Sequence, residues 1–171
     1  MPSNVEIKAR VRDFAGLRVR AAQLSDAPVS IISQVDTFFR TDKGRLKLRE
    51  LAAGAAQLIY YERPDQSGPR RSDFSIFDTQ DAPTLKTVLA LALGIRGTVE
   101  KVRYLYMVGQ TRVHLDDVKG LGQFMELEVV LQPGQTDQEG QSIAEKLLAD
   151  LGVDPADLME TAYMDLLEQA A

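Results

Sequence analysis

The sequence predicts an α+β fold in which an eight-stranded antiparallel sheet closes into a β-barrel, with helices packed outside. Eight segments alternate apolar and polar residues with a period of two, or are rich in residues that favour strands. Short turn sequences connect most of these segments, which is typical of antiparallel meanders. Because closure removes the exposed edges of such a sheet, a barrel is the expected architecture.

The length and composition are those of one globular unit. The chain has 171 residues, of which 44% are hydrophobic and 26% are charged. This length supports a single domain over residues 1–171. The apolar run at residues 88–93 is too short to cross a membrane, and the N-terminal sequence lacks the pattern of a secretory leader. We therefore expect a cytoplasmic protein with no membrane partner.

Charge and residue counts restrict the ligands that the chain can bind. A net charge of −5 and a pI of about 5.0 argue against general nucleic-acid binding. The chain has no cysteine and a single histidine, His114, which excludes thiolate and multi-histidine metal centres. Any metal must then be held mainly by oxygen atoms, which favours Mg²⁺ or Mn²⁺.

The first part of the chain predicts four strands and one helix. Residues 4–12 alternate cleanly between an apolar and a charged face. Asp13 can cap a helix that continues to about Leu24. The next three strands are residues 34–39, 45–49 and 57–62.

The middle of the chain predicts a loop, a short strand and a helix. Residues 63–72 contain two prolines and a glycine, so they are expected to form a surface loop in which Arg70 is solvated. A short strand follows at residues 74–77. Asp81 then begins a helix that Gly94 ends.

The last part predicts three more strands followed by helices. The strands are residues 98–108, 112–116 and 125–129. Ser142 and Glu145 have the spacing of a capping box at the start of a helix, and Gly152 ends that helix. A short helix is expected from Asp154, and residues 163–167 close the chain.

One face of several strands carries ionisable groups. Glu126 and Glu128 lie on one face of their strand, where their mutual repulsion would be relieved by a cation or a basic group. An outward orientation would make these faces merely the solvated side of the sheet. An inward orientation would create a charged interior that a polyanion and a divalent cation could neutralise. Such an interior suits phosphoryl transfer, in which positioning and charge neutralisation supply most of the catalysis.

An ordered set of short motifs spans nearly the whole chain. They are Glu6-Ile7-Lys8, Gln34-x-Asp36-Thr37-Phe38-Phe39, Leu46-Lys47-Leu48-Arg49, Lys101-x-Arg103, Arg112-Val113-His114-Leu115-Asp116, Leu121-Gly122-x-Phe124, Glu126-Leu127-Glu128 and Tyr163-Met164-Asp165-Leu166-Leu167. In this order, the motifs resemble the CYTH superfamily, the triphosphate tunnel metalloenzymes, and most closely its class IV adenylyl cyclase-like branch.

The resemblance implies a tunnel that binds a triphosphate with Mg²⁺ or Mn²⁺, and it implies residue roles. The implied metal ligands are Glu6, Glu126 and Glu128, with Asp116 as a helper. The implied substrate contacts are Lys8, Lys47, Arg49, Arg63, Lys101, Arg103 and Arg112. The catalytic residues among them are Lys8, Arg49 and Arg103. His114 is interpreted as a structural histidine that forms hydrogen bonds.

Three positions depart from the family pattern. Asn4 stands where the family's ExExK motif begins with glutamate, so one metal ligand is weakened or lost. The lysine that often follows the fourth strand is absent, and Arg63 is its substitute. The C-terminal lysine associated with thiamine triphosphatases has no match near Tyr163, which argues against that activity.

The leading functional hypothesis is a metal-dependent enzyme that converts ATP to cyclic AMP and pyrophosphate. The alternatives are hydrolysis of inorganic triphosphate or of a nucleoside triphosphate, and binding of polyphosphate or nucleotide without catalysis. The expected partner is thus a triphosphate small molecule, ATP or inorganic triphosphate, with neither nucleic acid nor membrane. A homodimer is left open.

Overall fold

The structure, a computed structural model, describes residues 2–64 and 68–170, which form nine strands and four α-helices. The strands are β1 (Ser3–Arg10), β2 (Ser30–Phe39), β3 (Arg45–Glu50), β4 (Ala56–Glu62), β5 (Arg70–Thr79), β6 (Ile95–Val108), β7 (Thr111–Val118), β8 (Gly122–Val130) and β9 (Leu158–Met159). The helices are α1 (Phe14–Leu24), α2 (Ala82–Leu93), α3 (Asp137–Leu151) and α4 (Tyr163–Ala170).

The first eight strands form one closed antiparallel barrel. Their order around the wall is β5-β4-β3-β2-β6-β7-β8-β1, and β1 pairs with β5 to complete the ring. The two-residue strand β9 adds to β1 outside this ring order. The predicted eight-stranded closed barrel with helices outside is confirmed.

Alternation along the strands gives the barrel an apolar outer face where the helices cover it. Ile7 of β1, Leu115 of β7 and Leu127 of β8 are fully buried beneath α1 and α3. Leu147 and Leu151 of α3 pack on the same cluster. Burying one such side chain contributes about 1.5–3 kcal/mol, so this contact holds both helices to the wall. The opposite parity of these strands is therefore left to face the interior.

The other long helix, α2, covers a different sector of the barrel. Leu85 and Leu89 pack on Phe39 of β2 and Leu48 of β3. The helix begins where the sequence predicts, because the Asp81 carboxylate accepts the backbone N–H of Thr84. No helix in the described part of the chain is long and apolar enough to span a membrane.

The C-terminal segment packs at one end of the barrel. Tyr163 and Met164, in the first turn of α4, contact Phe38, Val99 and Phe124, which come from three barrel strands. Gly97 of β6 lies under Met164: a Cβ atom at residue 97 would come within 2.4 Å of the Met164 Cε. The end of the chain thereby contributes side chains to the interior formed by its beginning.

Several predicted boundaries differ from the structure. The helix α3 begins at Asp137, and its capping box is formed by Thr136 and Glu139, so the prediction that Ser142 caps it is wrong. The short helix expected from Asp154 is a 3₁₀ helix of one turn over residues 155–157, and the Asp154 side chain caps it. Strand β2 begins at Ser30, four residues earlier than predicted.

The predicted loop at residues 63–72 is also shorter than expected. Its residues 65–67 lie outside the described residues, and strand β5 already begins at Arg70. The prediction that Arg70 is solvated is wrong: its side chain is 1% exposed, and it donates a hydrogen bond to the Glu160 carbonyl at 2.9 Å. Pairing of β5 with β1 places Arg70 opposite Glu6, which explains its burial.

Candidate active site

The barrel encloses a cavity of about 350 Å³ whose lining contains all seven cationic residues predicted to contact substrate. They are Lys8, Lys47, Arg49, Arg63, Lys101, Arg103 and Arg112. Three of the four predicted metal ligands, Glu6, Glu126 and Glu128, line it as well. The fourth, Asp116, is fully buried behind the lining. The charged faces of the strands therefore converge inside the barrel.

Asp36 of β2 holds three of the cations together. Its carboxylate accepts two hydrogen bonds from Arg49, at 2.9 and 2.8 Å, and lies 3.2 Å from Lys47 Nζ and 3.9 Å from Lys101 Nζ. Burial alone would raise the pKa of Asp36, but these three cations outweigh it and hold the pKa well below its usual value. Asp36 thus remains ionised and fixes the direction of the neighbouring cations.

Asp116 of β7 likewise holds Arg103 of β6 in a fixed orientation. The guanidinium donates to both carboxylate oxygens at 2.8 and 2.7 Å, and the Tyr163 hydroxyl donates to one of them at 2.9 Å. Burial opposes the charge on Arg103, yet the carboxylate outweighs it and raises the pKa of Arg103. With its oxygens engaged in this way, Asp116 is placed to position Arg103.

Lys8 and Glu126 form a second charged pair, at 3.0 Å. The Lys8 ammonium also lies 3.9 Å from the centre of the Tyr163 ring, a favourable cation–π contact. Burial lowers the pKa of Lys8 to about 8, although Glu126 offsets part of the effect. Lys8 is therefore a cation whose protonation responds readily to a bound anion.

Lys101 is the most perturbed lysine in the cavity. Burial, reinforced by the positive charge of Arg103, lowers the pKa of Lys101 to about 7. In residues 2–64 and 68–170, its nearest carboxylate atoms, on Asp36 and Asp116, are both 3.9 Å away. Without a closer anion, Lys101 is held near the midpoint of its titration at neutral pH.

Arg63 reaches into the cavity from the end of β4 and pairs with Glu6. Its Nη1 lies 3.0 Å from the Glu6 carboxylate, and its guanidinium lies over the Tyr61 ring. The side chain is 7% exposed. The arginine thus occupies the region where the family pattern led us to expect a lysine. Glu6 is engaged by this arginine and lies directly opposite Glu128 across β1 and β8. The three-residue group whose ligand atoms lie closest together does not include Glu6 in the described part of the chain.

That grouping consists of Glu126, Glu128 and His114. One ligand atom from each of the three lies within 4.8 Å of the others. Two metal–ligand bonds of about 2.1 Å span about 4.2 Å, so small side-chain movements would bring these atoms around one cation. Burial, reinforced by Arg103, lowers the pKa of His114 to about 4, which leaves the imidazole neutral and able to donate a lone pair. The donor set therefore fits a divalent cation.

Part of the cavity wall is apolar. Ile59 of β4 and Ile76 of β5 are directly paired, and Ile32 of β2 and Leu105 of β6 also line the cavity. Two amides, Gln34 and Gln57, also line the cavity. This sector presents apolar surface with a few hydrogen-bonding groups, a combination that suits an aromatic base.

Asn4 faces the same interior as Glu6 and is 3% exposed. Its Oδ1 is buried without a hydrogen-bond partner in the described part of the chain. A neutral carbonyl oxygen can still ligate a hard cation. The position that departs from the family pattern therefore retains a possible oxygen donor.

The sequence motifs assign no catalytic or binding role to three further residues that line this cavity. Asp36 lies in a matching motif without a role, Tyr163 belongs to the closing segment, and His114 is interpreted as structural. Strand parity already placed Asp36 and His114 on the charged faces, so the signal was present. The position of Tyr163 depends on the packing of α4, which no local pattern indicates.

A closed antiparallel barrel with a cation-lined interior defines the chain as a β-tunnel protein. The chain belongs to the CYTH domain family, which it matches over residues 3–163. The resemblance inferred from the motifs is thus confirmed.

Solved structures from several organisms share the fold. The PH1012 protein of Pyrococcus horikoshii is 24% identical with a TM-score of 0.83, covering 95% of this chain and 98% of its own. A Vibrio parahaemolyticus protein named as a candidate adenylate cyclase is 18% identical with a TM-score of 0.80, covering 96% and 97%. A Hippeastrum protein described as a candidate adenylyl cyclase with a dominant triphosphatase activity is 14% identical with a TM-score of 0.68, covering 98% and 96%.

These identities are low enough that the likeness shows the fold alone. No curated protein matches the sequence. The activity must therefore be argued from the cavity itself.

Proposed function

We propose that the chain is a single-domain, divalent-metal-dependent enzyme that binds a triphosphate inside the barrel and converts ATP to cyclic AMP and pyrophosphate. The observation that carries the proposal is the convergence of seven cationic residues on one cavity of about 350 Å³. A triphosphate neutralises such a set, and each phosphoryl oxygen accepts charge-assisted hydrogen bonds from lysine and arginine.

The role of each cationic residue in the cavity follows from the groups that surround it. Arg49 and Arg103 are fixed by bidentate bonds to Asp36 and Asp116, so they present their remaining N–H groups in set directions. Lys8 and Lys101 have lowered pKa values because of burial, and a bound polyanion favours their charged forms. Preorganised charge of this kind stabilises the transition state without reorganisation at the moment of reaction.

Glu126 and Glu128 would hold the divalent cation, with Glu6 or Asn4 as further oxygen donors. When bound, the cation supplies charge neutralisation and orientation at the phosphoryl oxygens. In cyclisation, the ribose 3′-hydroxyl oxygen forms a bond to the α-phosphorus, the bond from that phosphorus to the pyrophosphate oxygen breaks, and the hydroxyl proton leaves to solvent. The apolar sector at Ile59 and Ile76 supports a nucleoside substrate because it offers a surface for the base.

Hydrolysis is the second candidate. The cationic wall is complete without any contact to a base, so it would bind inorganic triphosphate equally well. In that reaction, the oxygen of a water molecule forms a bond to the terminal phosphorus, the bond from that phosphorus to the bridging oxygen breaks, and a water proton leaves to solvent. The products are orthophosphate and either pyrophosphate, from inorganic triphosphate, or a nucleoside diphosphate. The cationic wall and the apolar sector do not distinguish cyclisation from hydrolysis, because both reactions require the same charge neutralisation.

The products separate the candidates. The protein is incubated with ATP or inorganic triphosphate and Mg²⁺ or Mn²⁺, and the products are resolved by anion exchange. Cyclic AMP with pyrophosphate supports the proposal, whereas orthophosphate with ADP or pyrophosphate, and without cyclic AMP, supports hydrolysis. Thermal stabilisation by triphosphate without turnover would reduce the function to binding.

A matched pair of lysine variants tests the location of the site. Lys47→Gln, in the cavity, should weaken triphosphate binding at least tenfold, on the order of the 1.4 kcal/mol expected for one charge-assisted contact. Lys119→Gln is the control, because Lys119 is 75% exposed and pairs with Glu100 outside. Equal affinities for the two variants would contradict binding inside the barrel.

A further inference from the structure

The position of His114 indicates a role other than that of a structural residue. His114 lies on β7 directly opposite Glu126 of β8, between Arg112 and Asp116 on the same face. Its side chain is 5% exposed and lines the cavity. Register and parity therefore aim the imidazole at the two glutamates of β8.

The hydrogen bonding of this histidine is incomplete. Its Nδ1 is buried and has no hydrogen-bond partner in the described part of the chain. The closest carboxylate oxygen, on Glu128, is 3.8 Å away, which is too long for a hydrogen bond. A buried polar atom without a partner is costly, and a structural histidine would be expected to satisfy it.

The two glutamates are able to share a ligand with this nitrogen. Glu126 already faces Lys8 at 3.0 Å and Arg103 at 3.3 Å, but each carboxylate oxygen has two lone pairs and can accept a further partner. Among the described residues, Glu128 has only longer charged contacts, 3.6 Å to Arg112 and 3.8 Å to His114. One cation between the three side chains would satisfy the nitrogen and relieve the repulsion between the carboxylates.

We propose that His114 is a metal ligand through Nδ1, which makes the metal site of this chain a mixed nitrogen and oxygen site that prefers Mn²⁺ and Co²⁺ to Mg²⁺. The inference rests on the proposed function for the presence of a metal and adds the ligand and the preference. Mg²⁺ is a hard cation that favours oxygen donors, whereas imidazole strengthens binding of Mn²⁺ and, further along the series, Co²⁺.

The decisive variant is His114→Gln, which exchanges the ring nitrogen for an amide oxygen in the same region. It converts the donor set to oxygen only, so Mg²⁺ binding should persist while the preference for Co²⁺ falls. Gln34→Ala is the control: Gln34 lines the same cavity and also has a buried, unpartnered side-chain oxygen, but β6 separates its strand from β7.

Dissociation constants for Mg²⁺, Mn²⁺ and Co²⁺ are measured by calorimetry on the full chain without nucleotide, at millimolar metal because nearby cations weaken binding. The ratio of Co²⁺ to Mg²⁺ affinity should fall at least about tenfold in His114→Gln and stay unchanged in Gln34→Ala. Melting of the metal-free variants verifies that each is folded.

A spectroscopic readout is independent of affinity and of turnover. Mn²⁺ bound to the wild-type chain should show ¹⁴N coupling in electron spin echo envelope modulation, and His114→Gln should lose it. Mn²⁺ binding without nitrogen coupling, or an unchanged affinity ratio in His114→Gln, would overturn the inference. Absence of any metal binding by the folded wild-type chain would overturn it as well. A chain that shows the nitrogen coupling but forms no product retains the inference and loses the proposed function.

Discussion

Replacing Asp36 with asparagine should destabilise the unliganded chain and increase its response to triphosphate. The substitution preserves shape but removes the negative charge that faces Lys47, Arg49 and Lys101 in the cavity. Asp36 is 1% exposed. Three neighbouring cations would then lack their shared counter-charge, and only a bound anion could replace it.

The magnitude follows from the burial of the cluster. Removing one partner of a buried ion pair costs about 3–5 kcal/mol. For a chain of this length, each kcal/mol shifts the melting temperature by about 2–4 °C. Asp36→Asn should therefore lower the melting temperature by about 6–20 °C. Inorganic triphosphate at a hundred times the wild-type dissociation constant stabilises the wild type by about 2.7 kcal/mol, and at that same concentration a greater gain is expected for the variant, because it should bind the polyanion more tightly.

Thermal melting with and without inorganic triphosphate provides the assay. The control is Asp150→Asn, which removes the exposed pair with Lys146 and should cost no more than about 1 kcal/mol. A melting temperature for Asp36→Asn within 2 °C of the wild type would refute the claim that Asp36 holds the cations in place. An equal triphosphate-induced shift in the variant and the wild type would refute the compensation by the polyanion.

Three further predictions concern protonation, catalysis and packing. Burial and Arg103 lower the pKa of Lys101 to about 7, and a bound polyanion would raise it, so triphosphate binding at pH 8 should take up protons and weaken as pH rises. Calorimetry in two buffers of different ionisation heat measures the proton uptake, and Lys101→Met should reduce it. A triphosphate affinity that does not change between pH 7 and 9 would contradict the role of Lys101. Glu128→Gln should abolish product formation while melting within 2 °C of the wild type, because its charged contacts are long; wild-type turnover in the anion-exchange assay would remove Glu128 from the site. Gly140→Ala should lower the free energy of unfolding in urea by about 1–3 kcal/mol, although alanine has the higher helix propensity, because its Cβ would come within 2.6 Å of Val5. Glu145→Ala, at an exposed position on the same helix, is the control. Equal stability of the two variants would contradict the close packing of Gly140.

The barrel could be predicted because period-two alternation is a local property. Each strand with a charged and an apolar face carries its own signal, as in residues 4–12 and 125–129. Boundaries that depend on partners were predicted poorly. The early part of β2 contains Ile31, 61% exposed, and gains its strand geometry from pairing with β6. Arg70 sits among turn residues in sequence and is buried only because β5 pairs with β1.

The capping box illustrates a different limit. Thr136 to Glu139 and Ser142 to Glu145 both match the motif, so the sequence offers two starts for α3. Gly140 lies in the helix only with the earlier start, and it packs closely against Val5 of β1. The packing of α3 on β1 thus accompanies the choice of Thr136 over Ser142 as the cap.

For the site, parity indicated which side chains face inward but not which of them pair. Arg103 and Asp116 are direct partners across β6 and β7, a register that a sequence without relatives does not specify. The resemblance assigned Asp116 to the metal, whereas the geometry engages both of its oxygens with Arg103 and Tyr163. Its role as a metal helper stays a prediction, and the geometry favours positioning of Arg103.

The pairing of β1 with both β5 and β8 has a consequence for the folding of the barrel. Strand β1, which precedes the other barrel strands along the chain, bonds to β8 along one edge and to β5 along the other, so the ring stays open until residue 130 has joined. Contacts between such distant segments form slowly, and an unfinished cylinder leaves its lysines and arginines in water. Closure of the wall and enclosure of the cation-lined cavity therefore both require β8, and a fragment that ends before β8 lacks the closed ring.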